Sequence, residues 1–251
     1  MRQIHHAARF HLFPLAFLIL VTAGGSARAS IVLLEDFETD GEGVRYTSAG
    51  AFTDGADDYF IRTDGDAGAS GIPGYTGFGG SWFWAAEDTD ASDNLAGMTL
   101  LDFSGIDLGG APAIQLSLHM GAASGSAFDS LDDFLFVQYR VDGGLWQTAL
   151  AFQNNGQTYN GPLLQDTDFD GIGDGIQLDL ALQTFTSPVF QVDPGIIDVR
   201  IDTLMTSGSE EIAFDNLTVM AVPEPATTAL VFASLSLLMI LYRRFLPRRE
   251  D

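Results

Sequence analysis

Four aspartates in DTDFDGIGDG, residues 166–175, form the densest run of chemistry-bearing side chains in the chain. Asp166, Asp168 and Asp170 stand two apart, Gly171 follows, and Asp174 comes four after Asp170. Alternate carboxylates on a tight loop converge on one hard cation, and glycine permits the turn. Calcium takes about six to eight oxygens, which suits this density of aspartate. The sequence therefore predicts a structural calcium site on these four residues. The competing reading is a solvated acidic turn.

A second chemistry lies in SWFWAA, residues 81–86. Trp82 and Trp84 share one face of an alternating strand. Sugars stack their apolar C–H surfaces on flat aromatic rings, so an exposed face there is a carbohydrate platform. Turned inward, the same residues are core. Trp146 and the aromatic loop Tyr75–Phe78 are further candidates.

Other chemistries lack their residues. Of the 4 histidines only His119 lies outside the first 29 residues, in the middle of a strand pattern, where an ordinary sheet residue is expected. There are no cysteines, so neither a thiolate zinc site nor a disulfide is available. No Gly-x-Ser-x-Gly or phosphate loop appears. Carboxylates are so numerous that a glycosidase pair cannot be nominated by type alone. The expectation is a chain without catalytic residues. The alternative is a carbohydrate-active hydrolase or lyase.

Between residues 30 and 222 the basic residues are Arg45, Arg62, Arg140 and Arg200. Against 31 carboxylates they leave a charge of −27. Such a surface repels nucleic acid and gathers divalent cations.

The elements that must position these groups read as strands. In 113–120, Ile114, Leu116, Leu118 and Met120 alternate with Gln115, Ser117 and His119. In 134–141, Leu135, Val137, Tyr139 and Val141 alternate with Phe134, Phe136, Gln138 and Arg140. Asp142-Gly143-Gly144 turns this run into 145–152, a hairpin signal. Further runs lie at 31–37, 58–62, 81–86, 188–192, 196–202 and 211–219. About ten short strands, with turn residues between them and no linker, predict one all-β, jelly-roll-like sandwich over residues 30–221. Residues 64–80 form a glycine-rich loop, either disordered or part of a binding rim. Near the end, Ile212 and Phe214 fall out of phase with Leu217 and Val219. A β-bulge at Asp215-Asn216 would flip the register there; an edge strand with slack patterning is the other reading.

Both ends carry targeting patterns. Residues 1–29 open with arginines and histidines, continue as LFPLAFLILV, and close on Ala27-Arg28-Ala29, the pattern of a cleaved signal peptide. Residues 226–242 hold no charge and, as a helix, reach about 25 Å, the short end for a membrane span. Arg243, Arg244, Arg248 and Arg249 follow and place that side in the cytoplasm.

Three resemblances attach to these motifs. The loop 166–174 resembles the D-x-D-x-D-G-x-x-D loops of thrombospondin type 3 repeats and dockerins. It is less like an EF-hand, because Gln177 stands where the bidentate glutamate belongs. Glu35-Asp36-Phe37-Glu38 with Glu211–Asn216 resembles the first and last strands of extracellular jelly-roll modules, MAM-like and carbohydrate-binding. That likeness implies a second calcium site on Glu38 and Asp215, although the four cysteines usual in MAM domains are absent. Residues 222–251 resemble a PEP-CTERM sorting tail: Val222-Pro223-Glu224-Pro225, then an apolar span, then arginines. This implies transient hold in the inner membrane of a Gram-negative bacterium, processing by an exosortase near Pro223-Glu224-Pro225, and delivery to the cell surface or matrix. Association with exopolysaccharide follows as an expectation.

Overall fold

The computed structural model describes residues 29–66, 71–123, 127–130, 132–223 and five residues near the C-terminus. Those five, Ser234, Ser236, Leu237, Met239 and Ile240, are helical. Among the described residues no helix is long and apolar enough to cross a membrane. The signal-peptide pattern up to residue 28, the rest of the 226–242 span, Glu224, Pro225, Arg243 and Arg244 lie outside the described residues.

Among the described residues fourteen strands form two antiparallel sheets, a β-sandwich. Sheet I contains β3 (Phe52–Thr53), β4 (Tyr59–Thr63), β5 (Phe83–Glu87), β14 (Ile212–Val222), β7 (Ala113–Ala122) and β11 (Gln183–Thr186), in that spatial order. In addition β1 (Ser30–Glu35) pairs with β14, and β12 (Phe190–Gln191) with β7. Sheet II runs β2 (Thr47–Ala49), β6 (Thr99–Asp107), β13 (Ile196–Leu204), β8 (Phe134–Val141), β9 (Gln147–Asn154) and β10 (Leu163–Asp166). Among the described residues every strand and every core residue lies within 30–222, so the contacts that hold the two sheets together are made within this span.

The alternating runs bury the expected sides. Ile114, Leu116, Leu118 and Met120 from sheet I meet Leu135, Val137 and Tyr139 from sheet II in one core. Burying each such side chain contributes about 1.5–3 kcal/mol, which ties each register to the core. The β8–β9 hairpin turns through Asp142 at φ 46° and Gly143 at φ 73°, with the Gly144 N–H donating to the Val141 carbonyl at 2.8 Å. Two successive positive φ values are those of a type I′ turn, whose twist matches the strands.

The β-bulge forms where the phase flips. The β14–β7 register shifts between Asp215 and Thr218, and Asn216 takes φ 50°. Phe214 and Leu217 both reach the core as a result. The bulge sits where β14 changes partner, since 212–214 pair with β5 and 217–221 with β1.

Five strands, β2, β3, β6, β10 and β11, have no counterpart in the sequence reading. In β6 the doublet Leu100-Leu101 breaks the alternation, and Gly105 at φ 75° interrupts the run.

The two sheets differ on their outer faces. On sheet I, Tyr59, Phe83, Ala85 and Ala213 form a second apolar cluster, covered by Tyr75, Phe78 and Leu182. Residues 71–80 of the glycine-rich loop are thus part of the covering layer. On sheet II, Phe134, Phe136, Gln138 and Arg140 of β8 are only half-buried.

Candidate functional site

The acidic loop leaves β10. Asp166 is buried, and its oxygens accept the N–H groups of Phe169 (2.7 Å) and Gly171 (3.0 Å). Phe169 at φ 61° and Gly171 at φ 95° bend the backbone over it. Asp174 accepts from the Thr167 N–H and hydroxyl, both at 2.8 Å, which hold its carboxyl below the usual range. Asp168 is exposed and shifted up, first by desolvation and then by Asp170, Asp174 and Asp166.

Carboxylate oxygens of Asp166, Asp168 and Asp174 lie within 4.8 Å of one another. Three like charges at this distance repel, and none belongs to the three ion pairs found among the described residues. The donor set fits calcium, which takes carboxylate and carbonyl oxygens from a bent loop. Asp170, the fourth aspartate of the sequence expectation, stands outside this group of three. Its carboxylate turns to the Ile172 N–H (3.0 Å), and it lines a cavity against sheet II.

Glu38 and Asp215 meet at the junction of β1, β5 and β14. Glu38 accepts the N–H groups of Ser81 (2.7 Å) and Trp82 (2.8 Å). Asp215, fully buried, accepts those of Gly79 and Asn216, both at 2.7 Å. Burial pushes its carboxyl up to about 6 despite these bonds. Arg62 donates to the Phe37 and Glu38 carbonyls. Gly80 takes φ 77°, which glycine adopts without strain, and a Cβ there would displace the Glu38 carboxyl, 2.4 Å away. In this arrangement N–H groups of the 79–82 and 215–216 segments bind both carboxylates, while the Arg62 guanidinium ties down the 37–38 backbone, and the pair acts as a clasp between strands.

Of the two tryptophans expected to form a platform, Trp84 faces inward. Trp84 is 3 % exposed, with its ring centroid 5.0 Å from Phe60, 5.8 Å from Tyr46 and 5.9 Å from Phe37. Its side points between the sheets, so it is core. Trp82 is half-buried, with the Arg62 guanidinium 3.8 Å from its ring centre. His119 is a sheet residue. Its Nδ1 lies 3.3 Å from the Asn216 amide, and burial lowers its pKa against an opposing bond with the Gly77 backbone.

Aromatic side chains do gather on the outer face of sheet II. Phe134 and Phe136 stack at 4.5 Å and 15°. Further along β8 come Gln138 and Arg140. Trp146, half-buried after the hairpin turn, lies 4.5 Å from the Arg140 guanidinium and 4.3 Å from that of Arg200 on β13. Both arginines are charge-balanced: Arg140 pairs with Asp198 and Arg200 with Asp102, each at 2.8 Å. The pairing puts Asp202 beside Phe136 and Arg200 beside Gln138. From Phe134 to Arg140 the strand advances about 20 Å. Phe136, Thr148, Ala151 and Gln153, with Asp166 and the 169–171 turn, line an open cavity of about 310 Å³ at the β10 side. The face carries flat apolar rings, neutralised guanidinium groups and amides, which together suit a flat polyhydroxylated chain.

Sequence reasoning named Trp146 but missed the face, since Arg200 arrives from a strand 60 residues away. It also missed a third acidic group. Asp133 and Glu210, each 1 % exposed, and Asp129 bring oxygens within 4.8 Å of one another. The Thr206 N–H and hydroxyl bridge Asp133 and Glu210. Burial, then Asp133, pushes Glu210 up to about 8.

No family model matches the sequence. No curated protein matches it either. Among solved structures, the chain is similar to the CBM22-1 xylan-binding domain of Paenibacillus barcinonensis Xyn10C. That match has 14 % identity and TM-score 0.40, over 78 % of this chain and 97 % of that one. It is similar to the K3 cleaved adhesin domain of Lys-gingipain from Porphyromonas gingivalis (14 %, TM-score 0.41, 76 % and 99 %). It is also similar to the Stig cyclase Fisc from Fischerella sp. TAU (15 %, TM-score 0.39, 78 % and 98 %). A xylan-binding domain, an adhesin domain and a cyclase stand side by side here, so the likeness assigns no activity.

Proposed function

We propose that the chain is an exported, non-catalytic module that holds polysaccharide on the outer face of sheet II. The observation that carries this reading is Trp146 lying over Arg140 and Arg200, in line with the Phe134–Phe136 stack. Rings at both ends of a half-buried strand give stacking positions about 20 Å apart, room for several sugar units. The arginines are neutralised by Asp198 and Asp102, and the surrounding charge is strongly negative. The ligand is therefore an uncharged polysaccharide rather than an acidic one.

In affinity electrophoresis through gels containing β-glucan, xylan, mannan or alginate, residues 30–222 should be retarded by a neutral polymer and not by alginate. Trp146→Ala should weaken retardation roughly tenfold, the worth of one stacking ring. Free migration in every gel would refute the reading.

The acidic loop supports a structural calcium on Asp166, Asp168 and Asp174. The ion would offset their repulsion and pin a segment that no disulfide secures. Calcium at about 100 times its Kd adds about 2.7 kcal/mol, or a melting rise of roughly 5–10 °C. Asp168→Asn with Asp174→Asn should largely abolish that rise in a thermal melt. An unchanged rise would remove the loop from the account.

We also propose, from the 222–251 motif, that an exosortase sorts the chain from the inner membrane to the surface or matrix. Substituting Pro223-Glu224-Pro225 should leave the protein in the membrane fraction of a Gram-negative host. Normal release would count against sorting.

A further inference from the structure

Asp170 is the one aspartate of the loop that the carboxylate trio leaves out, and its surroundings give a reason. It lines the 310 Å³ cavity together with Phe136, Thr148, Ala151, Gln153 and Phe169. The cavity exists because Ala151 stands next to Phe136 in the β8–β9 register, so a methyl group occupies the place of a long side chain. Its volume is at the small end of ligand pockets, a size for a single ring rather than an extended chain.

The lining is two-sided. Phe136, Ala151 and Phe169 offer apolar surface, whereas Asp170, Thr148 and Gln153 offer acceptors and donors. A pyranose ring has the same division, with C–H faces and an equatorial rim of hydroxyls. Asp170 is exposed on the cavity rim, and its Oδ1 is occupied by the Ile172 N–H at 3.0 Å. That bond orients the carboxylate without neutralising it. Sugar hydroxyls donating to it would form charge-assisted bonds, the stronger kind.

We propose that this cavity is a single-sugar subsite of the sheet II face, in which Asp170 reads ring hydroxyls and is not a metal ligand. The proposal rests on the polysaccharide reading above and deepens it. Asp166 lines the same cavity and also belongs to the carboxylate trio, so one residue touches both sites. A cation that fixes the loop therefore also fixes Asp170. By linkage, calcium should raise sugar affinity, and sugar should raise calcium affinity by the same factor.

The test uses residues 30–222 titrated calorimetrically with cellohexaose, xylohexaose and mannohexaose, each in calcium and in chelator. Calcium-dependent melting is recorded on the same samples. Asp170→Ala should lose about tenfold in affinity for the hexasaccharide that binds, equivalent to about 1.4 kcal/mol. It should keep the full calcium melting shift. Asp170→Asn, which retains an acceptor for Ile172, should lose sugar affinity in the same direction and controls for loop damage. Unchanged sugar affinity in Asp170→Ala would overturn the subsite while leaving the face reading intact. Loss of the calcium shift in both Asp170 variants would make Asp170 a metal ligand and overturn the proposal from the other side. Should no hexasaccharide bind the wild-type domain, while Trp146→Ala behaves identically, the face reading itself falls and the subsite with it.

Discussion

A Trp84→Ala variant is expected to lose about 3–5 kcal/mol of stability, the cost of emptying a large aromatic site in a packed core. The ring touches Phe37, Tyr46 and Phe60, and Phe37 in turn packs on Phe214, so the cavity would open where both sheets meet. Its neighbours are themselves fully or nearly fully buried and have little room to collapse inward. Trp84→Phe should recover most of the loss. Urea unfolding measures this directly. In buffer where the variant remains folded, its retardation by polysaccharide should match the wild type. Stability close to wild type, with lost retardation, would restore Trp84 as a binding residue and contradict its place in the core.

The second large effect concerns pH. Glu87 is 1 % exposed on β5, opposite Tyr59 on β4 and near Glu211, and its Oε2 finds no hydrogen-bond partner among the described residues. Burial first, then Glu211, Asp57 and Asp58, pushes its pKa up to about 8. Glu210 is pushed up to the same level by burial and Asp133. Asp215 stands at about 6. For each group the folded pKa exceeds the unfolded one, near 4 for these carboxyls. Between the two values the folded state binds more protons than the unfolded chain. The stability these groups contribute is therefore fully present below about pH 4 and is lost as pH rises through about 6 for Asp215 and 8 for the glutamates. With calcium chelated, the melting temperature should fall by about 10 °C between pH 5 and pH 8. Glu87→Gln, which keeps the shape and removes the ionisation, should flatten the slope. A melting temperature that rises across this range would show that these acids are ionised and paired in the folded protein.

Much of the architecture was legible because it follows from alternation. The runs 113–120 and 134–141 have one apolar and one polar side each, and a two-residue period leaves only one way to bury them. The bulge at Asp215-Asn216 was legible for the same reason, since Phe214 and Leu217 cannot both face the core without an extra residue between them. The hairpin at Asp142-Gly143 was set by residues that accept positive φ.

What could not be read was which outer face stays open. Phe134 and Phe136 on sheet II and Tyr59 and Phe83 on sheet I are similar residues in similar patterns. Sheet I is closed because residues 71–80 and Leu182 fold over it, a long-range packing event with no local signal. The same limit applies to Trp84. Its neighbours Phe37, Tyr46 and Phe60 come from three other segments, and nothing within SWFWAA shows that they surround it. The acidic groups divide likewise. Asp166, Asp168 and Asp174 are close in sequence and were found together. Asp133 and Glu210 meet only through the approach of Thr206.

Intrinsic fluorescence tests the central claim most directly, because the three tryptophans sit in three environments. Trp84 is core, Trp82 lies against Arg62, and Trp146 lies on the open face of sheet II. The measurement is the emission of residues 30–222 titrated with a neutral polysaccharide, for the wild type, Trp82→Phe and Trp146→Phe. The account predicts a saturable change in the wild type and in Trp82→Phe that is absent in Trp146→Phe. A change that persists in Trp146→Phe and vanishes in Trp82→Phe would place the ligand at the β1–β5 junction and contradict the assignment of the sheet II face.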